Sequence, residues 1–258
     1  TTAEAAGPGR FTLGVGATHA PVSEGWYAIP YAGIVDRCAE ELGQGSMEFV
    51  VHARKQEVPM HDPRVKYALD LGYATSPTGA DHCHNIHDVG YETDAGVSGL
   101  YHAGIYDPLR FDDLGPAKVR MAKAVINWGL LKNCVGLCNS ILFDRKQMAK
   151  AIGAVTGWDI SVLELQEAGE RAMAMAREFN RRCGQTPADD APPARFFEPL
   201  PQGSFAGRAI PRAEFAEALR LYYAMQGWDP ATGAPTDGTL YALGLDWVVA
   251  QRQAEANG

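Results

Sequence analysis

No apolar run in this sequence approaches the roughly 18 to 20 residues that a helix needs to cross a bilayer. Residues Thr1 to Arg10 lack the charged-then-apolar layout of a secretory leader. Neither a membrane protein nor an exported one is expected. There is no basic stripe either: 23 Lys and Arg stand against 31 Asp and Glu, for a net charge of -8. Nucleic acid is therefore not an expected partner, and the acidity serves solubility. The five cysteines, Cys38, Cys83, Cys134, Cys138 and Cys183, are odd in number and scattered, which argues against a disulfide framework and for a reducing, cytoplasmic setting. Repeats and low-complexity tracts are absent. So is an initiator methionine, so the expectation is a processed chain or a piece of a longer one.

What is present is enough to fold. With 258 residues, 46% of them hydrophobic, the chain can bury one large core or two small ones. Residues 1–29, rich in Gly, Ala, Pro and Thr, show no clean period and remain unassigned. From Tyr31 to Leu42 the apolar positions Ile34, Val35, Cys38 and Leu42 fall on one helical face, with Gly43 as C-cap. Met47 to His52 reads as a short strand or one helical turn. Between Pro59 and Glu92, Pro and Gly punctuate short helices separated by loops, the kind of segment on which sites tend to lie.

Helices are predicted from Ala117 to Leu131, from Asp144 to Val155 and from Asp159 to Arg182, the last capped by Asp159 and closed by Gly184. Its stripe of Val162, Leu163, Leu165, Ala168, Ala172, Met175, Ala176 and Phe179 reads as core. Gln185 to Gly203 is a Pro-rich loop pinned by Phe196 and Phe197. Two further helices run from Arg212 to Gln226 and from Thr239 to Gln253. The chain is mostly α.

Two constellations can carry chemistry. Asp81-His82-Cys83-His84, followed by His87 and Asp88, gathers imidazoles that can shuttle protons or bind a metal. The plainer reading is that Asp81 and Asp88 cap a helix and that a histidine bonds a backbone carbonyl. Asn133-Cys134-Val135-Gly136-Leu137-Cys138-Asn139 places thiolates beside a turn in which Gly136 lets the backbone come close to another group, and thiolates suit soft metals and Fe–S clusters. Cys134 reads as core rather than ligand. A zinc site made of Cys134, Cys138 and two of the histidines is the rival. Thr156-Gly157-Trp158-Asp159 and its echo Gly227-Trp228-Asp229-Pro230 read as helix boundaries, each with a turn residue, an aromatic anchor and a cap.

In order along the chain, Glu57-Val58-Pro59-Met60-His61-Asp62-Pro63-Arg64, Gly72 to His82, Asn133 to Cys138, Thr156 to Asp159, Gly169-Glu170-Arg171, Phe179-Asn180, Phe197 to Leu200, Tyr222-Tyr223, Gly227-Trp228-Asp229 and Pro235-Thr236 resemble the C-terminal, helical part of the aldehyde:ferredoxin oxidoreductases. The resemblance runs from about Ile29 to Val249. It implies helical domains 2 and 3 of that family without its N-terminal β domain, with residues 30–55 ending the second domain and 56–258 forming the third.

It also implies a tungsten-pterin cofactor (two pterins holding tungsten, molybdenum in some relatives) beside a [4Fe-4S] cluster, a small aldehyde as substrate and ferredoxin as electron acceptor. By motif, Cys138 is the fourth cluster ligand and His82 the active-site proton donor or acceptor. Asn133 stands at the aspartate that bonds a pterin, and Leu137 and Asn139 offer backbone contacts to the same pterin. Thr78, Asp81 and His84 surround His82 at cofactor-binding positions. Thr78 stands where an arginine is common, so a phosphate-type donor is lost there. The family's Cys-x2-Cys-x3-Cys run does not occur, so the resemblance implies a missing N-terminal domain or subunit. A benzoyl-CoA-reductase-type relative and a non-catalytic, zinc-binding helical module are the alternatives.

Overall fold

In the computed structural model of the chain, residues 34–256 are described apart from 140 and 142. The unassigned residues 1–29 and the expected helix start at Tyr31 lie outside them. The elements are helix α1 (Ile34–Leu42), strands β1 (His52–Ala53) and β2 (Gln56–Glu57), and helices α2 (Tyr67–Thr75), α3 (Asp94–Val97), α4 (Pro116–Cys134), α5 (Arg145–Thr156), α6 (Val162–Arg182), α7 (Arg212–Gln226), α8 (Asp237–Ala242) and α9 (Asp246–Ala256). Among the described residues the only sheet is the antiparallel pair β1–β2. The mostly helical class follows the sequence.

The core is built on α4, which packs along α6 and against α2 and α7. Every residue of α2 is buried, as befits a helix apolar on most of its circumference. Val119, Met121, Ala122 and Ile126 of α4 join Leu69, Leu71 and Tyr73 of α2 and Phe215, Ala218 and Tyr222 of α7 in one cluster. Two smaller clusters flank it. Leu240, Leu243, Leu245, Val248 and Val249 gather on Ala174, and Trp128 and Leu131 gather with Met148 and Leu165.

The expected helices are present, with four corrections. The sixth begins at Val162, because Ser161 rather than Asp159 makes the capping box with Glu164. Its buried row is Leu165, Gly169, Met173 and Arg177, spaced by four and turned to the core. Leu163, Met175 and Phe179, expected inside, are exposed because they fall off that row. Among the described side chains of α1, Asp36 and Ala39 are buried, while Leu42 is exposed. The expected last helix is two, broken at Gly244 in a left-handed conformation (φ 66°), which lets Leu245 return to the core beside Leu240. The Pro-rich loop is pinned as expected: Phe196 is buried, and the ring of Phe197 meets Phe215 edge-on at 5.6 Å.

Candidate active site

Two turns meet on one face of the chain. The first follows α2. Ser76 is buried and its Oγ lies 3.2 Å from Thr78 Oγ1 and 3.2 Å from His84 Nε2. The other ring nitrogen of His84 pairs with Asp81 Oδ2 at 3.1 Å, and Asp81 Oδ1 accepts the Cys83 N–H at 2.7 Å. His84 thus points inward and holds the turn, and His82 and Cys83 project from it. Burial works against the Asp81 charge, yet the His84 hydrogen bond prevails and lowers its pKa. Burial and the neighbouring Asp81 push the Cys83 thiol up.

Gly129 of α4 sets the depth of this turn, since a Cβ there would strike the His84 carbonyl. Asp88 closes it from below. As expected it caps a helix, but a remote one: its oxygens accept the N–H groups of Ala68 and Leu69 at the start of α2 while Lys118 Nζ donates to it at 3.0 Å, both side chains wholly buried.

The second turn ends α4. Gly136 is left-handed (φ 69°), its N–H bonds the Asn133 carbonyl, and Leu137 N–H reaches back to Lys132 O at 2.9 Å. This is a Schellman ending. Leu137 folds onto the cluster of Trp128 and Leu131, and that contact swings Cys138 outward, where it is exposed. Gly136 is therefore needed for its backbone angle and not for close approach, since nothing lies within 4 Å of the place its Cβ would take. Cys134, expected in the core, is exposed, because the last turn of α4 runs past the small cluster. The Asn133 side is exposed as well.

Asn139 joins the two turns, its side-chain amide donating to the Cys83 carbonyl. Cys138 also lies close enough to Cys83 to raise its pKa. The structure thus brings His82, Asp81, His84, Cys138 and Asn139 together. Thr78 stands to one side, exposed, linked through Ser76 and His84.

The sequence did not reveal what stands behind His82. The rings of His61 and His82 lie 4.8 Å apart, as do those of His61 and His87. Lys66 Nζ sits 3.2 Å from Nδ1 of both His61 and His87. With Lys66 charged both Nδ1 atoms accept, so His87 carries its proton on Nε2 and donates it to the His82 carbonyl at 3.2 Å. Burial first, then Lys66, then His61 bring the His87 pKa down to about 4. His61 and Lys66 are lowered as well, each mainly by burial. His61 and His87 stood in motifs already noted, but no local spacing announces that Lys66 bridges them.

Among the described residues a metal has little to hold it. Among the described residues the one group of three ligand-type side chains with atoms within 4.8 Å of one another is Asp81, His82 and Cys83. The rival zinc site, with both Cys134 and Cys138, is not formed. A [4Fe-4S] cluster takes four thiolates, and no three cysteines gather among the described residues. Cys138 is exposed and His82, on the neighbouring turn, is half-buried.

The family model of aldehyde ferredoxin oxidoreductase, domains 2 and 3, matches residues 31–245. The tungsten-containing aldehyde ferredoxin oxidoreductase of Thermococcus kodakarensis is 32% identical over 193 residues, 71% of this chain and 29% of that protein. That of Pyrococcus horikoshii is 29% identical over 216 residues, 81% of this chain and 33% of that protein. The chain belongs to the aldehyde ferredoxin oxidoreductase family. It spans about a third of the length of these curated relatives. Among solved structures, the active-site complex BamBC of benzoyl-coenzyme A reductase with 1,5-dienoyl-CoA shares the fold, at a TM-score of 0.58 and 20% identity over 87% of this chain and 37% of that one. No helix of the described residues is long and apolar enough to cross a membrane.

Proposed function

We propose that the chain is the helical part of a tungsten (or molybdenum) bis-pterin oxidoreductase that oxidises a small aldehyde to its carboxylic acid and passes the electrons to ferredoxin. The observation that carries this reading is the Asn139–Cys83 contact, which sets the Cys138 thiol beside the His82 turn on an open face. A bound tungsten-pterin centre supplies the two-electron chemistry, and a [4Fe-4S] cluster the electron exit. Cys138 is the cluster ligand offered by this chain. Asn133, Leu137 and Asn139 border one pterin. Asp81 and His84 hold the turn that presents His82, and Thr78 flanks it. Oxidation of a hydrated aldehyde to the acid releases two protons with the two electrons, and His82 would take one of them. His61, Lys66 and His87 behind it keep its main chain fixed and offer further nitrogen sites. The N-terminal domain or subunit contributes the remaining ligands, and residues 30–55 end the second helical domain.

Metal analysis of the cofactor-loaded holoenzyme, purified without air, tests this. About four irons per chain, as a [4Fe-4S] cluster requires, with tungsten or molybdenum, and loss of the iron in Cys138→Ala, is the expected result. Zinc alone, or no metal, overturns it. The shared fold of the benzoyl-coenzyme A reductase complex supports a second substrate, an aryl-CoA thioester. Assays of aldehydes and aryl-CoA with a viologen dye separate the two, and turnover of aryl-CoA only sinks the aldehyde reading.

A further inference from the structure

Arg145 opens α5, and its half-buried guanidinium is enclosed by neutral groups. One face lies on the Trp128 ring of α4, 4.3 Å from the centroid. Nη1 donates to Oε1 of Gln166 on α6 at 3.0 Å. In the loop after α3, a Cβ at Gly99 would lie 4.0 Å from Cδ and Nε of Arg145. Burial brings the Arg145 pKa down to about 10, and the group that works against this is the Tyr91 phenol, which its own burial keeps protonated.

Among the described residues Arg145 makes no ion pair. The acid next to it, Asp144, gives Oδ1 to the Gln147 N–H as N-cap of α5 and does not raise the Arg145 pKa. Lys146 follows, exposed, so the first helical turn carries two cations and no acid. That end of a helix is already partly positive and favours anions. Donors are in excess behind it too, since Gln166 is 7% exposed and its Nε2 is buried without an acceptor. A cation withdrawn from water without a counter-ion is unfavourable, and here no carboxylate of the described chain supplies one.

A pocket of about 480 Å³ opens at this place. Its walls include Asp144, Arg145 and Lys146 at the start of α5, Gly99 and Tyr101 from the loop after α3, and Val162 at the start of α6. We infer that this pocket binds a small organic carboxylate, with Arg145 as its counter-ion and Tyr101 and Val162 against its apolar body. With Nη1 engaged by Gln166, the guanidinium keeps the two-donor edge of Nε and Nη2, which matches the two oxygens of a carboxylate. Gly99 puts no side chain over that edge. Tyr101 is 54% exposed and Tyr106 stacks on it with ring centroids 5.7 Å apart, so a flat apolar surface stands ready beside the cation. The inference rests on the pocket and not on the redox reading, and none of these residues belongs to the turns that carry His82 and Cys138.

The intact protein, isolated without air, is titrated with benzoate and followed by calorimetry, with benzamide as the neutral control and acetate as the control without an apolar body. Saturable benzoate binding is expected, weakened about tenfold or more by Arg145→Met, as the loss of a charge-assisted hydrogen bond implies, and less by Tyr101→Ala. Acetate should bind more weakly and benzamide not at all. Saturating benzoate should raise the melting temperature of the parent but not of Arg145→Met. His82→Ala should keep its benzoate binding, which separates this pocket from the reaction site. No saturable binding, equal binding by Arg145→Met, benzamide or acetate binding as tightly as benzoate, or binding lost only in His82→Ala overturns the proposal. Should Arg145→Met fail to fold, Arg145→Lys and Tyr101→Ala carry the same test, and benzoate binding unchanged in both overturns it.

Discussion

Gly157-Trp158-Asp159 and Gly227-Trp228-Asp229 are the same tripeptide just past the end of a helix, and their tryptophans have opposite fates. Trp228 is 3% exposed and Trp158 64%. The local part of the code works in both places: each glycine is left-handed, at φ 75° and 67°, and stops its helix. The partners differ. Trp228 meets Tyr222 and Tyr223 edge-on at 5.8 and 5.4 Å and lies under the Arg177 guanidinium, 4.5 Å from the ring centroid. Trp158 belongs to no buried cluster among the described residues and lies in a stretch where Val135, Ile141, Phe143, Val155 and Leu163 are also exposed. A helix-ending signal is written in the sequence next to the helix, whereas burial depends on residues far along the chain. The stretch that carries Cys138 is the one that leaves its apolar side chains in water.

The largest expected effect is at Trp228. Trp228→Ala should cost about 3–5 kcal/mol, the range for emptying a buried aromatic site, read as a shift of the urea midpoint. A cost near that of an ordinary surface change would mean that the aromatic cluster is not the anchor its geometry suggests. Next come the glycines. Alanine in left-handed backbone costs about 1 kcal/mol at either position. At Gly227 the new Cβ would also collide with the Thr239 side chain, while at Gly157 nothing lies within 4 Å. Gly227→Ala should therefore destabilise by 1 kcal/mol or more beyond Gly157→Ala, given typical overpacking losses. Equal losses would break the contrast.

Acid should separate the same two regions. The His87 pKa is depressed to about 4 by burial, Lys66 and His61. A histidine that binds its proton less readily when folded supports the fold fully above its ordinary value of 6.5, and loses that contribution as pH falls from there toward about 4. Glu178 lies on the other side. Burial opposes its charge, but hydrogen bonds from Arg181, Arg252 and Arg182 bring its pKa down to about 2. Its contribution is whole above about 4.5 and is lost only as pH falls toward about 2. His87→Gln should flatten the stability curve between pH 6.5 and 4, and Glu178→Gln only below 4.5, measured as urea midpoints against pH. Loss of the upper limb in Glu178→Gln would show that the two regions do not titrate separately.

These contrasts indicate what could be read beforehand. The helices of the core were legible because their periods are local, and the start at Asp144 was legible too, whereas the next cap was placed at Asp159 and stands at Ser161. The approach of the Cys83 turn to the turn that bears Cys138 has no local signal, since 56 residues separate the partners of the Asn139–Cys83 bond. Asp88 was legible as a cap but not as the cap of a helix twenty residues earlier. The exposed flank of α6 was misread because a hydrophobic stripe states which face can be buried and not how wide the neighbouring helix is. Arg54 gave no signal at all: a charged residue in a hairpin turn looks solvated, yet its side chain is 17% exposed and pairs with the buried Asp190 at 3.6 Å.

The smallest effect tests the contrast most sharply. Trp158→Ala should change the stability of this chain by no more than about 0.5 kcal/mol, the usual range for a surface substitution, although the same change at Trp228 should be severalfold larger. The reason is geometric, because a side chain 64% exposed has little contact to lose. A loss of 2 kcal/mol or more would mean that Trp158 is covered in solution, by its own chain or by a second copy. Dilution would tell the two apart, since only cover from a second copy weakens with concentration.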